Sequence, residues 1–222
     1  TNGIGGGTNQ QLAKMGYSNI YCLTPDHRVL TADLRWVHIG DLKENDVLVG
    51  FDEKISGKYQ KRKYRAAEVL GILSRTGDVY RIILSDGTEF KATGEHQWLM
   101  HTQQSNKSMW RSTQFLKCGD RFPKLFDTWE SDFSYEAGWL AGILDGEGSV
   151  GFYQSQEHGP SHCQRHLSIN QNQGAVLDRV CLLLKQWGVP FSFGRDSHGS
   201  ECFRIRVSHK ESFARLLGMV RP

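Results

Sequence analysis

Along the first half of the chain, apolar and polar positions alternate in short runs with a period of two. In the second half the spacing turns helical. Alternation over RVLTA (28–32), DVLVGF (46–51), AAEVLGILS (66–74), DVYRIIL (78–84) and EFKAT (89–93) predicts short strands. Ser85-Asp86-Gly87-Thr88, between the last two, reads as a hairpin turn. From Ser134 the pattern changes. Trp139, Leu140, Ile143 and Leu144 recur at helical spacing, Ser134 can cap the first turn, and Glu136 sits where the helix dipole favours an anion. Ala137, Gly138, Ala141 and Gly142 are small residues four apart, which would let a second helix approach closely. Strands follow at 149–154 and 166–171, a helix at 175–187 ended by Gly188, and strands at 191–194 and 202–207. In FRIRV, Phe203, Ile205 and Val207 face one way and Arg204 and Arg206 the other. Residues 1–21 read as a Gly-dense turn, a short helix (TNQQLAKMG) and a strand (YSNIY), a unit too small to bury a core alone.

An internal repeat organises residues 22–128. Thr24-Pro-Asp-His27-Arg-Val-Leu30 matches Thr93-Gly-Glu-His96-Gln-Trp-Leu99, both T-x-(acid)-H-x-x-L. Further on, Trp36, Leu42, Lys43 and Asp46 match Trp110, Leu116, Lys117 and Asp120. The offset is 69 residues in the first pair of segments and 74 in the second, so one intervening loop is five residues longer. Two matches in the same order imply two copies of one β-rich subunit, and hence a mostly antiparallel β domain with pseudo-two-fold symmetry.

Composition narrows the function classes only modestly. Of 222 residues, 38% are hydrophobic, enough for ordinary globular cores. The net charge of +3 does not by itself announce a nucleic-acid binder. Residues 54–65 (KISGKYQKRKYR) concentrate six basic side chains with no acid; such a run is either a solvated loop or a phosphate-contacting one. The five cysteines are odd in number and form no C-x-x-C pair, which argues against a disulfide framework and for a reducing compartment. With no signal-like opening and no apolar run of membrane length, the expected localisation is cytoplasmic.

Two blocks carry a resemblance to a known family. Cys22-Leu-Thr-Pro-Asp-His-Arg-Val-Leu-Thr-Ala resembles the first block of an intein, and Gly87-Thr-Glu-Phe-Lys-Ala-Thr93-Gly-Glu-His96 resembles its T-x-x-H block. The family's splicing fold, named Hint, is a duplicated β unit. The resemblance implies that Cys22 attacks the Tyr21 carbonyl in an N-to-S acyl shift, the Tyr21–Cys22 bond being the scissile one. It also implies that His96 protonates the departing Cys22 nitrogen and that Thr93 holds the scissile peptide. No cofactor is needed for that step. His27 is the counterpart of His96 in the first copy and is expected to be structural. A splicing C-terminus, His-Asn followed by a nucleophile, does not occur in these residues, so at most thioester formation and N-terminal cleavage are expected of them. NGIGGGTNQQLAKMGYSNIY is similar to part of the nuclease domain of phage terminase large subunits, which implies that residues 1–21 belong to such a host protein, joined in cis.

The helix beginning at Ser134 poses its own question. Asp145 and Glu147 lie at its C-terminal end, where the dipole disfavours anions by about 0.3–1 kcal/mol each. A divalent cation would offset that cost; a solvated D-G-E-G turn is the plain alternative. Leu140-Ala-Gly-Ile-Leu-Asp-Gly-Glu-Gly148 resembles the LAGLIDADG motif of homing endonucleases. By that resemblance Glu147 is the chief metal-binding acid, with Glu where Asp is more usual, Asp145 lies beside it, and Gln171 takes a polar active-site position. The implied chemistry is Mg²⁺- or Mn²⁺-dependent hydrolysis of double-stranded DNA. The implied DNA contacts are Arg204, Arg206, Asn170 and Gln154 on one face of a sheet, since Arg can read guanine and Asn or Gln adenine. A half-buried sheet with one wet face is the ordinary alternative. Cutting both strands needs a second LAGLIDADG repeat, in cis or by homodimerisation.

The expected fold class is therefore mixed β and α+β. Residues 1–21 are a host fragment, 22–128 the N-terminal part of a Hint domain, and 129–222 an αββαββα LAGLIDADG repeat. No membrane association is expected. A freestanding homodimeric endonuclease with a non-splicing β domain, or a terminase interrupted by an insert, are the competing readings.

Overall fold

The computed structural model describes residues 22–52, 64–101, 108–124, 126–154, 163–195 and 202–222, with the backbone alone at 152–154 and 163–164. The sequence readings on 1–21 and on most of the basic run 54–65 lie outside the described residues. The chain is mixed α/β, with mostly antiparallel strands in small sheets and three helices among the described residues. Contacts gather the described residues into two units: those of 22–31, 36–50 and 65–127 in the first, and those of 32–35, 51–52, 64 and 128–222 in the second.

The first unit is built from short ribbons. Strands β1 (Arg28–Leu30) and β2 (Trp36–His38) pair antiparallel. Strands β3 (Val47–Phe51) and β4 (Tyr64–Glu68) form a second two-stranded sheet. Strands β5 (Tyr80–Ile83) and β6 (Glu89–Ala92) make a hairpin, and so do β7 (Gln97–His101) and β8 (Ser108–Ser112). The turn between β5 and β6 is the one expected: Gly87 has φ +83° and the Thr88 amide donates to Asp86 Oδ1 at 2.9 Å. The single long strand expected over 66–74 does not form. Backbone bonds run one residue past β4, with Val69 N–H donating to Asp46 O at 2.8 Å and Asn45 N–H to Val69 O at 2.9 Å; beyond Val69, Leu70, Ile72 and Leu73 are exposed in irregular chain. Apolar content alone predicted that strand, but a strand also needs a partner edge for its backbone groups.

Hydrogen bonds reproduce the sequence repeat bond for bond. Leu30 pairs with Trp36 in β1–β2, and Leu99 with Trp110 in β7–β8. The His27 amide donates to Thr24 O at 3.0 Å, and the His96 amide to Thr93 O at 3.1 Å. His27 O receives Ile39 N–H at 2.7 Å; His96 O receives Thr113 N–H at 2.9 Å. The L-K-x-x-D turns are alike as well: Asp46 Oδ2 accepts Lys43 N–H at 2.7 Å and Asp120 Oδ2 accepts Lys117 N–H at 2.9 Å. The residue before each of these acids has positive φ, Asn45 at +71° and Gly119 at +92°. Asn and Gly are the residues that tolerate this conformation. Between the two copies Leu23 bridges Ala92, its own counterpart, and the flanking bonds exchange: Thr24 N to Lys91 O at 3.1 Å, and Thr93 N to Cys22 O at 3.0 Å. Reciprocal bonds between equivalent residues are what a two-fold axis through the Leu23–Ala92 bridge produces.

The second unit is a helix-backed sheet. Its order is α1 (Tyr135–Glu147), β9 (Gly148–Gln154), β10 (Cys163–Asn172), α2 (Ala175–Gln186), β11 (Ser192–Arg195), β12 (Cys202–Val207) and α3 (Lys210–Val220). The strands lie β11-β12-β10-β9, each pair antiparallel. Leu167, Ile169, Ile205 and Val207 on one sheet face join Leu140, Leu144, Val180, Leu184 and Leu216 of the helices in one buried core. Burying each such side chain is worth about 1.5–3 kcal/mol. Ser134 caps α1, its Oγ accepting the Ala137 N–H at 3.2 Å. At the end of α2, Gly188 takes φ +60°, its amide donates to Lys185 O at 3.0 Å and that of Val189 to Leu184 O at 2.8 Å. This pair of bonds closes the helix and turns the chain into the core at Val189.

Candidate functional site

In the first unit, the bond between Thr93 N and Cys22 O sets the segment at Cys22 antiparallel to the end of β6, with Cys22 opposite Thr93. The T-x-x-H turn is fastened from its other side: Thr113 N–H donates to His96 O and Gln114 N–H to Gly94 O at 3.1 Å. Thr113, itself buried, also has its Oγ1 receive the Trp98 indole N–H at 2.9 Å. The Trp98 ring meets the His96 ring edge-on, centroids 4.6 Å apart. Cys22 is partly buried and in no disulfide. Thr93 Oγ1 is buried with no partner in hydrogen-bond geometry among the described residues. The hydroxyl nonetheless stands near enough to Glu95 to be the last of several causes holding that acid below its ordinary range, after Glu95's own amide and Arg75. Burial pushes the His96 imidazole down from 6.5 to about 4. His96 is therefore neutral near pH 7, ready to accept a proton before it can donate one. Tyr21 lies outside the described residues.

His27 occupies the corresponding place in the first copy. The Lys91 amide donates to its Nε2 at 2.8 Å, and its ring lies 5.5 Å from that of Phe90. Lys91 stands 69 residues after Cys22, so His27 and Lys91 are the counterparts of His96 and Cys22.

In the second unit, Asp145 and Glu147 are exposed in the last turn of α1, which holds no basic residue. A Cβ on Gly148 would strike the Leu144 carbonyl, so only glycine lets the chain leave the helix straight into β9. Gly148 pairs with Ile169, which sets the α1 exit beside Asn170 and Gln171 of β10. Gln171 shares the helix-covered side with Phe203, and its Oε1 accepts the neighbouring Asn172 N–H at 3.0 Å. Asn170 and Arg204 are register partners on the opposite face, Arg204 Nε donating to Asn170 Oδ1 at 3.2 Å. Arg206 pairs with Ser168 on that same face, its Nε buried with no hydrogen-bond partner among the described residues. The Gln154 side chain lies outside the described residues. Three residues of this face were not singled out from the sequence. Ser149 and Ser168 share a hydrogen bond of 2.8 Å, and His166 is buried, its pKa lowered by desolvation and then by Arg206 and Arg204. The polar phase of His166-x-Ser168-x-Asn170 was the signal that could have found them.

Among the described residues, no three His, Cys, Asp or Glu side chains gather as a metal-binding group. Glu147 and Asp145 are hard oxygen donors of the kind Mg²⁺ takes, but as a pair they would need oxygens from elsewhere, such as DNA phosphates. Among those residues too, no helix is long and apolar enough to cross a membrane. No protein-family model matches the chain, and no curated protein matches it.

Proposed function

We propose that the chain carries intein sequence: a Hint-type splicing unit that begins at Cys22, followed by a LAGLIDADG-type endonuclease repeat, inserted in a host protein to which residues 1–21 belong. One observation carries the splicing reading: the T-x-x-H turn hydrogen-bonds to Cys22 itself, through Thr93 N and Cys22 O at 3.0 Å. The repeat supports it further. In the first copy the histidine ring receives the amide of Lys91, and by the symmetry of the repeat the same relation in the second copy would bring the His96 ring to the Cys22 nitrogen.

The chemistry follows from a neutral His96. The imidazole takes the Cys22 Sγ proton, and the thiolate attacks the Tyr21 carbonyl carbon. As the C–N bond breaks and the C–S bond remains, the imidazolium returns its proton to the departing Cys22 nitrogen. Electrons and protons balance with no external reagent. The buried Thr93 hydroxyl would steady the Tyr21 carbonyl.

The endonuclease reading rests on the Leu140–Gly148 motif, its two exposed acids and the basic, amide-bearing sheet face. A bound Mg²⁺ would stabilise charge on a phosphodiester at the α1 exit. Glu147, with Asp145 beside it, would hold the ion, and Arg204, Arg206 and Asn170 would orient the duplex. Gly138, Gly142 and Gly146 leave open space along one stripe of α1, room for the matching helix of a second repeat.

The test is mass spectrometry of the chain with dithiothreitol. The wild type is expected to release a 21-residue peptide ending at Tyr21, and Cys22→Ala to release none. An intact wild-type chain that is demonstrably folded removes the splicing reading. For the nuclease, Glu147→Gln is expected to abolish Mg²⁺-dependent cutting of duplex DNA while binding survives.

A further inference from the structure

In both copies the T-x-x-H turn uses up a strand carbonyl. Thr24 O accepts the His27 amide and Thr93 O the His96 amide, which commits each carbonyl to its own turn rather than to the ladder across the Leu23–Ala92 bridge. An ordinary antiparallel ladder would send the Lys91 N–H to Thr24 O. That acceptor is taken, and the N–H goes to His27 Nε2 at 2.8 Å instead. Lys91 O, meanwhile, holds Thr24 N–H. The same Nε2 lies 3.1 Å from Lys91 O, but one nitrogen cannot accept and donate along these two directions at once. Lys91 O already has a donor and the amide contact is the shorter, so the ring is the neutral tautomer with its proton on Nδ1. Lys91 is one residue from the bridge and two from Thr93. Whatever holds Lys91 in register also holds the Thr93 amide against Cys22.

We propose that His27 is a positioning residue for the thioester step at Cys22: its Nε2 lone pair replaces a missing strand carbonyl and locks the end of β6 that carries Thr93 and His96. The repeat has thus divided one geometry between two tasks. The first imidazole completes the ladder; the second, at the equivalent place, would serve the bond that is to break. The proposal rests on the splicing reading above.

The experiment follows thiol-induced release of the 21-residue peptide from the whole chain in the wild type, His27→Ala and His27→Gln. Thermal unfolding and hydrogen exchange at the Lys91 amide are measured on the same samples. Loss of one buried acceptor is expected to slow release about tenfold in His27→Ala and to raise Lys91 exchange by a similar factor. In His27→Gln the side-chain carbonyl can accept the same N–H, so release within about threefold of wild type and a protected Lys91 are expected. A purely structural His27 would lower the melting temperature in both variants and leave release unchanged well below it. The proposal is overturned if folded His27→Ala releases peptide at the wild-type rate, or if folded, Lys91-protected His27→Gln is as slow as His27→Ala. A wild-type chain that releases nothing removes the splicing reading and this proposal together. A wild type that cleaves no faster than folded His27→Ala removes this proposal alone.

Discussion

Gly218 separates a local expectation from a tertiary one in sign. It lies inside α3, where replacing glycine by alanine gains about 1 kcal/mol of helix propensity. The space it faces is taken. An added Cβ would stand 2.6 Å from Leu34 O and 2.8 Å from Trp129 Cε2, and it would overlap Trp129 Nε1. Trp129 is buried, and its indole N–H donates to Leu34 O at 3.0 Å, the very pair the methyl would enter. The indole must therefore move. Overpacking costs about 1–3 kcal/mol, and a buried N–H left without its acceptor costs about another 1–3 kcal/mol. Set against the propensity gain, Gly218→Ala is expected to lose about 2–3 kcal/mol. For a unit of this size that lowers the melting temperature by roughly 10 °C. Urea unfolding followed by helix circular dichroism measures it, with Gly138→Ala as the control. Among the described residues nothing lies within 4 Å of a Cβ at Gly138, so that variant should gain up to about 1 kcal/mol. If Gly218→Ala proved as stable as Gly138→Ala, the packing of α3 on Trp129 described here would be wrong.

Other perturbations test the two units separately. His96 stands at about 4 when folded against 6.5 ordinarily, so the unfolded chain binds its proton first. Stability should be complete above about pH 6.5 and fall as pH drops towards 4. The gap is worth about 3 kcal/mol at most, discounted to roughly 1–2 for the ring's partial exposure, and His96→Gln should flatten that slope in pH-dependent melts. Arg111 and Asp120 form a 2.8 Å ion pair in which the acid's side chain is only 8% exposed. Arg111→Met strands that carboxylate and should cost about 2–3 kcal/mol in chemical denaturation, whereas a loss under 0.5 kcal/mol would mean the pair is solvated. Ser134→Ala removes the α1 cap and should cost about 1 kcal/mol, read from the denaturation midpoint.

The elements were largely legible in the linear chain. Ser134 as a cap, Gly188 as a stop, the turn at Asp86-Gly87 and the alternation of FRIRV all depend on neighbours within a few residues, and sequence carries that information directly. So does the repeat, because two copies of one subunit must each preserve their own turns. The 66–74 segment was misread for the opposite reason: its apolar pattern is local, but the partner strand it lacks beyond Val69 is not. The candidate site was legible as residue types, Cys22, Thr93 and His96 in one unit and Asp145 and Glu147 in the other. Ser168 and His166 escaped notice because nothing in a polar phase tells how deeply it is covered.

Sequence by itself thus determined many of the elements, the duplication and the list of candidate side chains. Only the tertiary structure decided that the Thr93 amide meets the Cys22 carbonyl, that the His96 imidazole is kept neutral, that the Lys91 amide finds a histidine ring and that Gly218 has no room for a methyl group. Each of these joins residues tens of positions apart or depends on what surrounds a group. Distance through space and local dielectric are set by chain closure and packing, and neither has a period that can be read along the chain.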